Sequence, residues 1–593
     1  MHHEQTRMVT VVTDGHIWPS TYCSTQIGQH GRCYGIGVCF SIFTAGARDV
    51  EAQAQGPILN PIEMGMPDST AVLAHLRASA MYVAAFRAAD RPDLTYTVTL
   101  ANAPTGRTLD VRCDFRDPTG TVARQITYTT KTITTPVLVT AGQQDTTIAL
   151  TEPLLWDDLA TMARPLCKWS YEVTRLEDLP RAVRRAAKVA LTHPTGPVFL
   201  SIPGDLLTNS IEDLDLLAPT RVAPGLRGDT AAINLAAEMI AHAQNPVIFA
   251  GDAVPRGDAY GELAELAELI GAPVYLEGMA NTAAFPASHR LYGGSIPRMT
   301  PAYRAALKDF DLVISVGADL LTQSQAAGIE ALPPGMPLVH IDTDAWEIGK
   351  NFPAAAAILG EPKATLPDLS AAVASLMTPA TDRADGIAAK LAATKAALVA
   401  KAEAEAHLLP LRPLPVIHAI GQLLPDDAIV IEEALSSGMN FIRHLIPSNH
   451  PDSYFGMRGG GIGMGLPQAI GAALAKPGRP VVALSGDGSA MYSVQALWTA
   501  AHYRLPLVFV ILNNRSYRIL KQRTRAIGDH SAREDVFVAM DFTDPPIDFV
   551  GLAEAQGVAA VRVETLDGLR EALTRGLSAN APLLIDVVMD STV

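Results

Sequence analysis

The stretch 483-ALSGDGSAMYSVQALWTAAHYRLPLVFVILNNRSYRIL-520 decides how this chain folds. An apolar run, Val481 to Leu484, meets a tight Gly486-Asp487-Gly488 turn. A helical segment from Ser493 to Tyr503 follows, then a second apolar run, Leu507 to Leu512, and the pair Asn513-Asn514. A strand-helix-strand crossover sets the second strand beside the first with the same polarity. Asp487 and the asparagines then leave neighbouring strands at their carboxyl ends, the edge where open parallel sheets bind ligands. Gly486 and Gly488 let backbone approach a phosphate. A carboxylate, an amide oxygen and a nearby backbone carbonyl are hard oxygen ligands, which Mg²⁺ takes together with phosphate oxygens and water. A plain strand and turn with a polar tip would account for a lone Gly-Asp-Gly. It does not account for Gly-Asp-Gly-Ser, the 24 residues between Gly488 and Asn513, and the Asn-Asn pair occurring together.

This combination closely resembles the thiamine-diphosphate motif of the 2-oxo acid decarboxylase and acetohydroxyacid synthase superfamily. The resemblance implies thiamine diphosphate and Mg²⁺ as cofactors, with Asp487 and Asn514 binding the metal through their side chains and Ser516 through its carbonyl. In GGGIGMGLPQAIGAALA (459–475) a Gly-rich turn runs into a helix. In the family a bulky residue at this point supports the bent conformation of the cofactor, and spacing from the motif makes it Ile462; its competing role is core packing. The family places diphosphate contacts after the strand in IVIEEALSSGMN (429–440), at Ser436 and Ser437, with Gly488 and Ser489 adding others. Hydroxyls near a helix start suit phosphate oxygens, and a helix cap is the competing role for the serines.

At 593 residues the chain is long enough for several domains, and three are expected, over 1–210, 225–380 and 410–593. Hydrophobic content of 48% with 18% charged residues is that of a globular protein. A net charge of −15, without any basic block, argues against a nucleic-acid or anionic-membrane partner and for a small molecule. No apolar run reaches the length of a membrane span, and MHHEQTRMVTVV lacks the order of a secretory signal, so a cytoplasmic protein is expected. The five cysteines form no Cys-x-x-Cys pair and make a poor disulfide framework, yet four of them precede residue 114.

Along the chain, residues 1–130 contain one clear helical pattern, 72–90, and a Thr-rich run, 121–136. The character changes at Thr135. PVLVTAG (136–142) and GPVFLSIPGDLL (196–207) are buried strands, with an amphipathic basic helix over 174–191 between them. AGQQD (141–145), KWSYEV (168–173) and GPVFLSIPGDLL resemble the latter half of the family's pyrimidine-binding domain, and KWSYE is especially like benzoylformate decarboxylases. From about 225 the strands NPVIFAG, APVYLEG, DLVISVGADLL and PLVHIDTDAWEIGKN alternate with helices at 260–270 and 300–308. That alternation predicts a doubly wound parallel sheet and looks like the family's central domain. It carries no GxGxxG fingerprint, so no flavin is expected. A solvated linker helix over 383–407 leads to the third unit, which ends in APLLIDVVM. The expected fold class is α/β, with three doubly wound parallel-sheet domains.

His289, in FPASHRLYGGSIP, occupies the position at which benzoylformate decarboxylases carry a substrate-facing histidine, against the plainer role of a structural or surface histidine. An imidazole can give or take a proton near neutrality, as decarboxylation followed by protonation requires. One family feature is missing. A first-domain glutamate normally drives tautomerisation of the aminopyrimidine, and this chain has no glutamate between Glu63 and Glu152. The expected place falls near Val83, and only Pro118, Thr119, Gly120, Tyr128 and Thr129 resemble the family's Gly-rich loop. Either a diverged first domain or a reading frame shifted upstream of about Thr134 would explain this.

The resemblance implies non-oxidative decarboxylation of a 2-oxo acid, an aryl one such as benzoylformate on the strength of KWSYE and His289, giving an aldehyde and CO₂. An acetohydroxyacid-synthase-like carboligase is the alternative, and HIDTDAWEIGKN is compatible with either; Tyr517, Ile519 and Leu520 are candidate substrate-pocket residues. The missing glutamate keeps open a catalytically silent relative that only binds the cofactor. In the family the cofactor lies between subunits, so a homodimer or homotetramer is implied.

Overall fold

In the computed structural model the described residues are 136–593 except 212–216, 224, 279–280, 322–326, 439–440, 458–459, 529 and 593, together with the backbone of five strands in the first 135. The expectations for the 72–90 helix, Glu63, Val83 and Pro118 to Gly120 lie outside them. The described chain forms two compact units, residues 1–222 with 528–536, and residues 223–527 with 537–593.

The five early strands are β1 (Val11–Thr13), β2 (His16–Trp18), β3 (Thr95–Asn102), β4 (Leu109–Arg116) and β5 (Val122–Thr129). They are followed by β6 (Leu138–Gln143), β7 (Trp169–Glu172) and β8 (Val198–Pro203). In the first unit β6, β8 and β7 are parallel neighbours, while β1 joins β6 antiparallel and β3-β4-β5 form a separate antiparallel sheet. The helix Leu179–Leu191 buries Ala182, Ala186 and Ala190, four residues apart on one face, and its arginines lie off that line. Three stretches singled out in the sequence meet here. Gln143 donates from Nε2 to the carbonyl of Asp157 (2.6 Å) and to Glu172 (3.3 Å), and Ser201 Oγ donates to the same Glu172 carboxylate (2.8 Å).

The second unit holds two six-stranded, wholly parallel sheets. The central one runs β11-β10-β9-β12-β13-β14, from β9 (Pro246–Ala250), β10 (Val274–Leu276), β11 (Tyr292–Ser295), β12 (Leu312–Val316), β13 (Leu338–Asp342) and β14 (Ala356–Leu359). Every residue of β9, β12 and β13 is buried, because hydrophobic clusters cover both faces. Strand β11, of sequence YGGS, escapes a reading by hydrophobic run because two of its four residues are glycines. PLVHIDTDAWEIGKN is strand only as far as Asp342, whose Oδ1 accepts the Asp344 N–H at 2.8 Å. Burial pushes the Asp342 carboxyl up to about 7.

The third sheet runs β16-β15-β17-β18-β20-β19, from β15 (Ile429–Glu433), β16 (Tyr454–Phe455), β17 (Val481–Gly486), β18 (Leu507–Asn513), β19 (Ala559–Val563) and β20 (Leu583–Val588). Val481 pairs with Leu507 and Gly486 with Leu512, the parallel pairing expected of the crossover. The intervening helix spans Ala496–His502, three residues shorter at its start than the sequence pattern, since Tyr492 to Gln495 form turns. Chain order reverses between β15 and β17: after β15 the path goes out to β16, then returns to the other side. A crevice opens at such a reversal, and Glu433 to Ser437 and Gly486 to Ser489 both leave the sheet there. Between the two sheets the helix Thr381–Glu405 buries only Ala384 and Ala402 among its 25 residues. It is the solvated connector that its composition predicts.

Candidate functional site

Asp487 is 3% exposed and opens the single-turn helix Asp487–Ala490. Its Oδ1 accepts the Gly488 N–H at 2.7 Å and its Oδ2 the Ser516 N–H at 3.3 Å. The Asn514 Oδ1 accepts that same Ser516 N–H at 3.1 Å. Two hard oxygens from neighbouring strands thus converge on one backbone nitrogen. The convergence depends on Arg515, whose φ of 56° turns the chain back after β18. Beneath it, Asn513 donates to the buried Asp586 at 2.9 Å, and Arg562 of β19 holds the other oxygen of that carboxylate, also at 2.9 Å.

Burial pushes the Asp487 carboxyl up to about 6, with neighbouring backbone N–H groups opposing and the Asp586 charge adding to the rise. A buried carboxylate that accepts only backbone N–H groups is suited to a cation. With the Asn514 amide oxygen beside it, the donor set is the hard-oxygen kind that Mg²⁺ takes. The residues present therefore fit the metal expected of them.

Ser436 and Ser437 face the same place, since Asn514 Nδ2 lies 3.5 Å from each hydroxyl. They sit in a turn rather than at a helix start, the next helix being the four-residue Ile442–Leu445. The helix-cap role weighed for them is therefore not realised. The two glycines beside Asp487 differ. A Cβ on Gly486 would meet nothing closer than Ser489 Oγ at 3.9 Å, so that side is open. A Cβ on Gly488 would lie 2.5 Å from Tyr517 Cε1, and Gly488 is small so that the Tyr517 ring can pack there. Tyr517 in turn sets its ring edge-on against Phe542, with centroids 4.6 Å apart.

Ile462 is half-buried and stands outside the two hydrophobic clusters that fill the faces of the third sheet. Its turn is fixed by a residue that sequence reading passes over. Glu433, fully buried at the end of β15, accepts the N–H groups of Gly463, Met464 (2.9 Å) and Gly465 (2.9 Å), and the hydroxyl of Ser485 (3.3 Å). Desolvation raises its pKa against those hydrogen bonds. Its only sequence signal is a pair of acids, Glu432 and Glu433, closing an apolar run in IVIEE, of which Glu433 is the fully buried one.

His289 lies apart from this group. The neighbouring Ala287 and Ser288 N–H groups donate to Ser448 and Asn449, which precede β16 at the amino edge of the third sheet, whereas Asp487 leaves the carboxyl edge. The His289 ring packs edge-on against Phe285, and its Nε2 is 3.4 Å from Glu268. Burial lowers its pKa, partly offset by Glu268, which also binds Arg290.

Comparison with known proteins agrees with this layout. The thiamine pyrophosphate enzyme C-terminal TPP-binding domain matches residues 436–587, and the family's central domain matches 233–369. The benzoylformate decarboxylase of Pseudomonas aeruginosa is 33% identical over 454 residues, 76% of this chain and 82% of that protein. The chain belongs to the thiamine-diphosphate enzymes. Within the family, an acetolactate synthase of Mycobacterium bovis is 30% identical over 77% of this chain and 73% of its own length. Among solved structures, benzoylformate decarboxylase from Polynucleobacter necessarius superposes with a TM-score of 0.68 at 27% identity, covering 78% of this chain and 83% of its own. The Rhodococcus jostii 4-hydroxybenzoylformate decarboxylase gives 0.63 at 31% identity, over 77% and 82%. A model of di-haem cytochrome c peroxidase matches residues 29–104, but the sequence has no Cys-x-x-Cys-His with which to attach a haem. Thiamine diphosphate is the family's cofactor. No helix among the described residues is long and apolar enough to cross a membrane.

Proposed function

We propose that this chain is a Mg²⁺-dependent non-oxidative decarboxylase of a 2-oxo acid, an aryl one of the benzoylformate kind, releasing an aldehyde and CO₂. The observation that carries this reading is the convergence of Asp487 Oδ2 and Asn514 Oδ1 on the Ser516 N–H, in a chain whose relative at 33% identity is a benzoylformate decarboxylase. Bound thiamine diphosphate supplies the electron sink for the pair of electrons left behind when CO₂ departs. The chain's own residues do the rest. Asp487, Asn514 and the Ser516 carbonyl would hold the metal, and Ser436, Ser437, Gly486, Gly488 and Ser489 would line the diphosphate end. Ile462, on a turn fixed by Glu433, would support the bent cofactor.

Within one chain His289 packs on Phe285 and Glu268, away from Asp487, so the catalytic part proposed for it would require another subunit of the oligomer to complete the site. Burial lowers its pKa, which favours the neutral imidazole that can accept a proton. The working form in this reading is a homodimer or homotetramer.

Two observations favour other readings. Acetolactate synthases are also relatives, which supports a carboligase. The absence of a glutamate between Glu63 and Glu152 supports a silent cofactor-binding relative. One experiment separates the three: purified full-length protein with thiamine diphosphate and Mg²⁺, assayed on benzoylformate and on pyruvate, with cofactor binding followed by calorimetry. Aldehyde from benzoylformate supports the decarboxylase, and acetolactate from pyruvate replaces it with the carboligase. Binding without turnover across a panel of 2-oxo acids leaves the silent relative.

A further inference from the structure

Arg518 follows the Asn-Asn-Arg-Ser-Tyr segment, at the start of the helix Arg518–Ile527. A basic residue there is unremarkable in sequence, because amphipathic surface helices carry arginines in number. This one is 4% exposed. Its Nη1 donates to the Asp590 carbonyl at 3.0 Å, and its Nη2 to the Ser436 carbonyl at 3.2 Å and the Ser437 hydroxyl at 3.1 Å. Its Nε, also buried, has no hydrogen-bond partner.

Every group that accepts from this guanidinium is neutral. The two nearest carboxylates, Asp590 and Asp487, act on it only at longer range, and desolvation lowers its pKa. The Asp590 carboxylate is occupied by Thr592 and by Arg412, whose Nε is 3.6 Å away. The Asp487 carboxylate accepts backbone N–H groups. Taking a cation out of water without a hydrogen-bonded anion is costly, and an arginine fork is shaped to receive phosphate oxygens. The serine hydroxyl it touches is one of the two that line the proposed diphosphate end.

We propose that Arg518 is a binding residue for the cofactor's diphosphate, a fixed positive charge beside the metal, with its unpartnered Nε and its Ser437-bound Nη2 as the donors. The inference rests on the cofactor reading above and adds a ligand that the sequence motif does not contain. A fixed cation supplies part of the neutralisation that would otherwise fall to Mg²⁺ alone, so the chain holds a diphosphate, weakly, even before the metal arrives.

The test uses full-length apoprotein and calorimetry with inorganic pyrophosphate and with thiamine diphosphate, each with and without Mg²⁺, on wild type, Arg518→Met and Arg518→Lys. The expected result is at least a tenfold loss of affinity for both ligands in Arg518→Met, with partial recovery in Arg518→Lys. Arg518→Met also loses the hydrogen bonds to Asp590, Ser436 and Ser437, so some fall in the apoprotein melting temperature is expected and the melting curve serves to show that the variant is folded. Wild-type affinity in Arg518→Met overturns the assignment. Wild-type protein that binds pyrophosphate but not thiamine diphosphate would remove the cofactor reading while leaving the Arg518 comparison intact. Wild type that binds neither overturns both.

Discussion

Gly486 and Gly488 flank the same carboxylate, and a methyl group added to each should act in opposite ways. Gly488→Ala drives a Cβ to 2.5 Å from the Tyr517 ring, an overpacking expected to cost about 1–3 kcal/mol in chemical denaturation. Gly486→Ala meets nothing within 3.9 Å and has an ordinary backbone, φ −74°, so stability should be unchanged. Calorimetry should instead show weakened binding of thiamine diphosphate, because the added methyl occupies the open side. Both glycines read alike in the sequence as places for close approach to a phosphate. Only one faces open space, and the difference comes from Tyr517, whose ring packing no spacing rule reveals. That Asp487 and Asn514 meet at one edge could be read because a crossover fixes strand polarity, while Ser516 entered only through the family resemblance. Arg518 was not, since its burial depends on the serines of another strand.

At the scale of elements, strand β15 and the Gly463-Met464-Gly465 turn are one unit, joined through the Glu433 carboxylate. Glu433→Gln keeps the shape but turns an amide NH₂ toward backbone donors. It should destabilise the protein by about 1–3 kcal/mol, read from the denaturation midpoint, and weaken cofactor binding through Ile462. Strands made mostly of apolar residues, such as β9, β12, β13, β17 and β18, could be read directly, because burial on both faces leaves few polar residues in them, Ser315 of β12 and His340 of β13 among those few. Strands β11, β14 and β16 could not. They are two to four residues long, and pairing with a formed neighbour, rather than their own composition, makes them strands.

For the molecule as a whole, stability should depend on pH through Asp342. Its carboxyl is raised from 3.8 to about 7 in the folded chain, so folding favours the protonated form. The stabilisation is complete below pH 4 and is lost as pH rises through about 7, where the buried group must ionise. Asp342→Asn should flatten that slope and gain on the order of 2–4 kcal/mol over wild type at pH 8, measured by denaturation at pH 5 and pH 8. The α/β class and the order of the last three quarters of the chain were legible in its alternating patterns; the first 130 residues offered no such periodicity. The helix Thr381–Glu405 sets a last expectation. It is pinned at its start by Arg383, which donates to the carbonyls of Ile270, Ala243 and Gln244, and near its end by buried Ala402, while residues 392–397 are exposed throughout. Its middle packs on neither sheet's core, so local opening there costs little. Amide hydrogens of 392–397 should exchange with deuterium sooner than those of the buried strands β9, β12, β17 and β18. Trypsin, cutting at Lys395 on that exposed stretch, should nick the chain between the central and third sheets and leave each core whole.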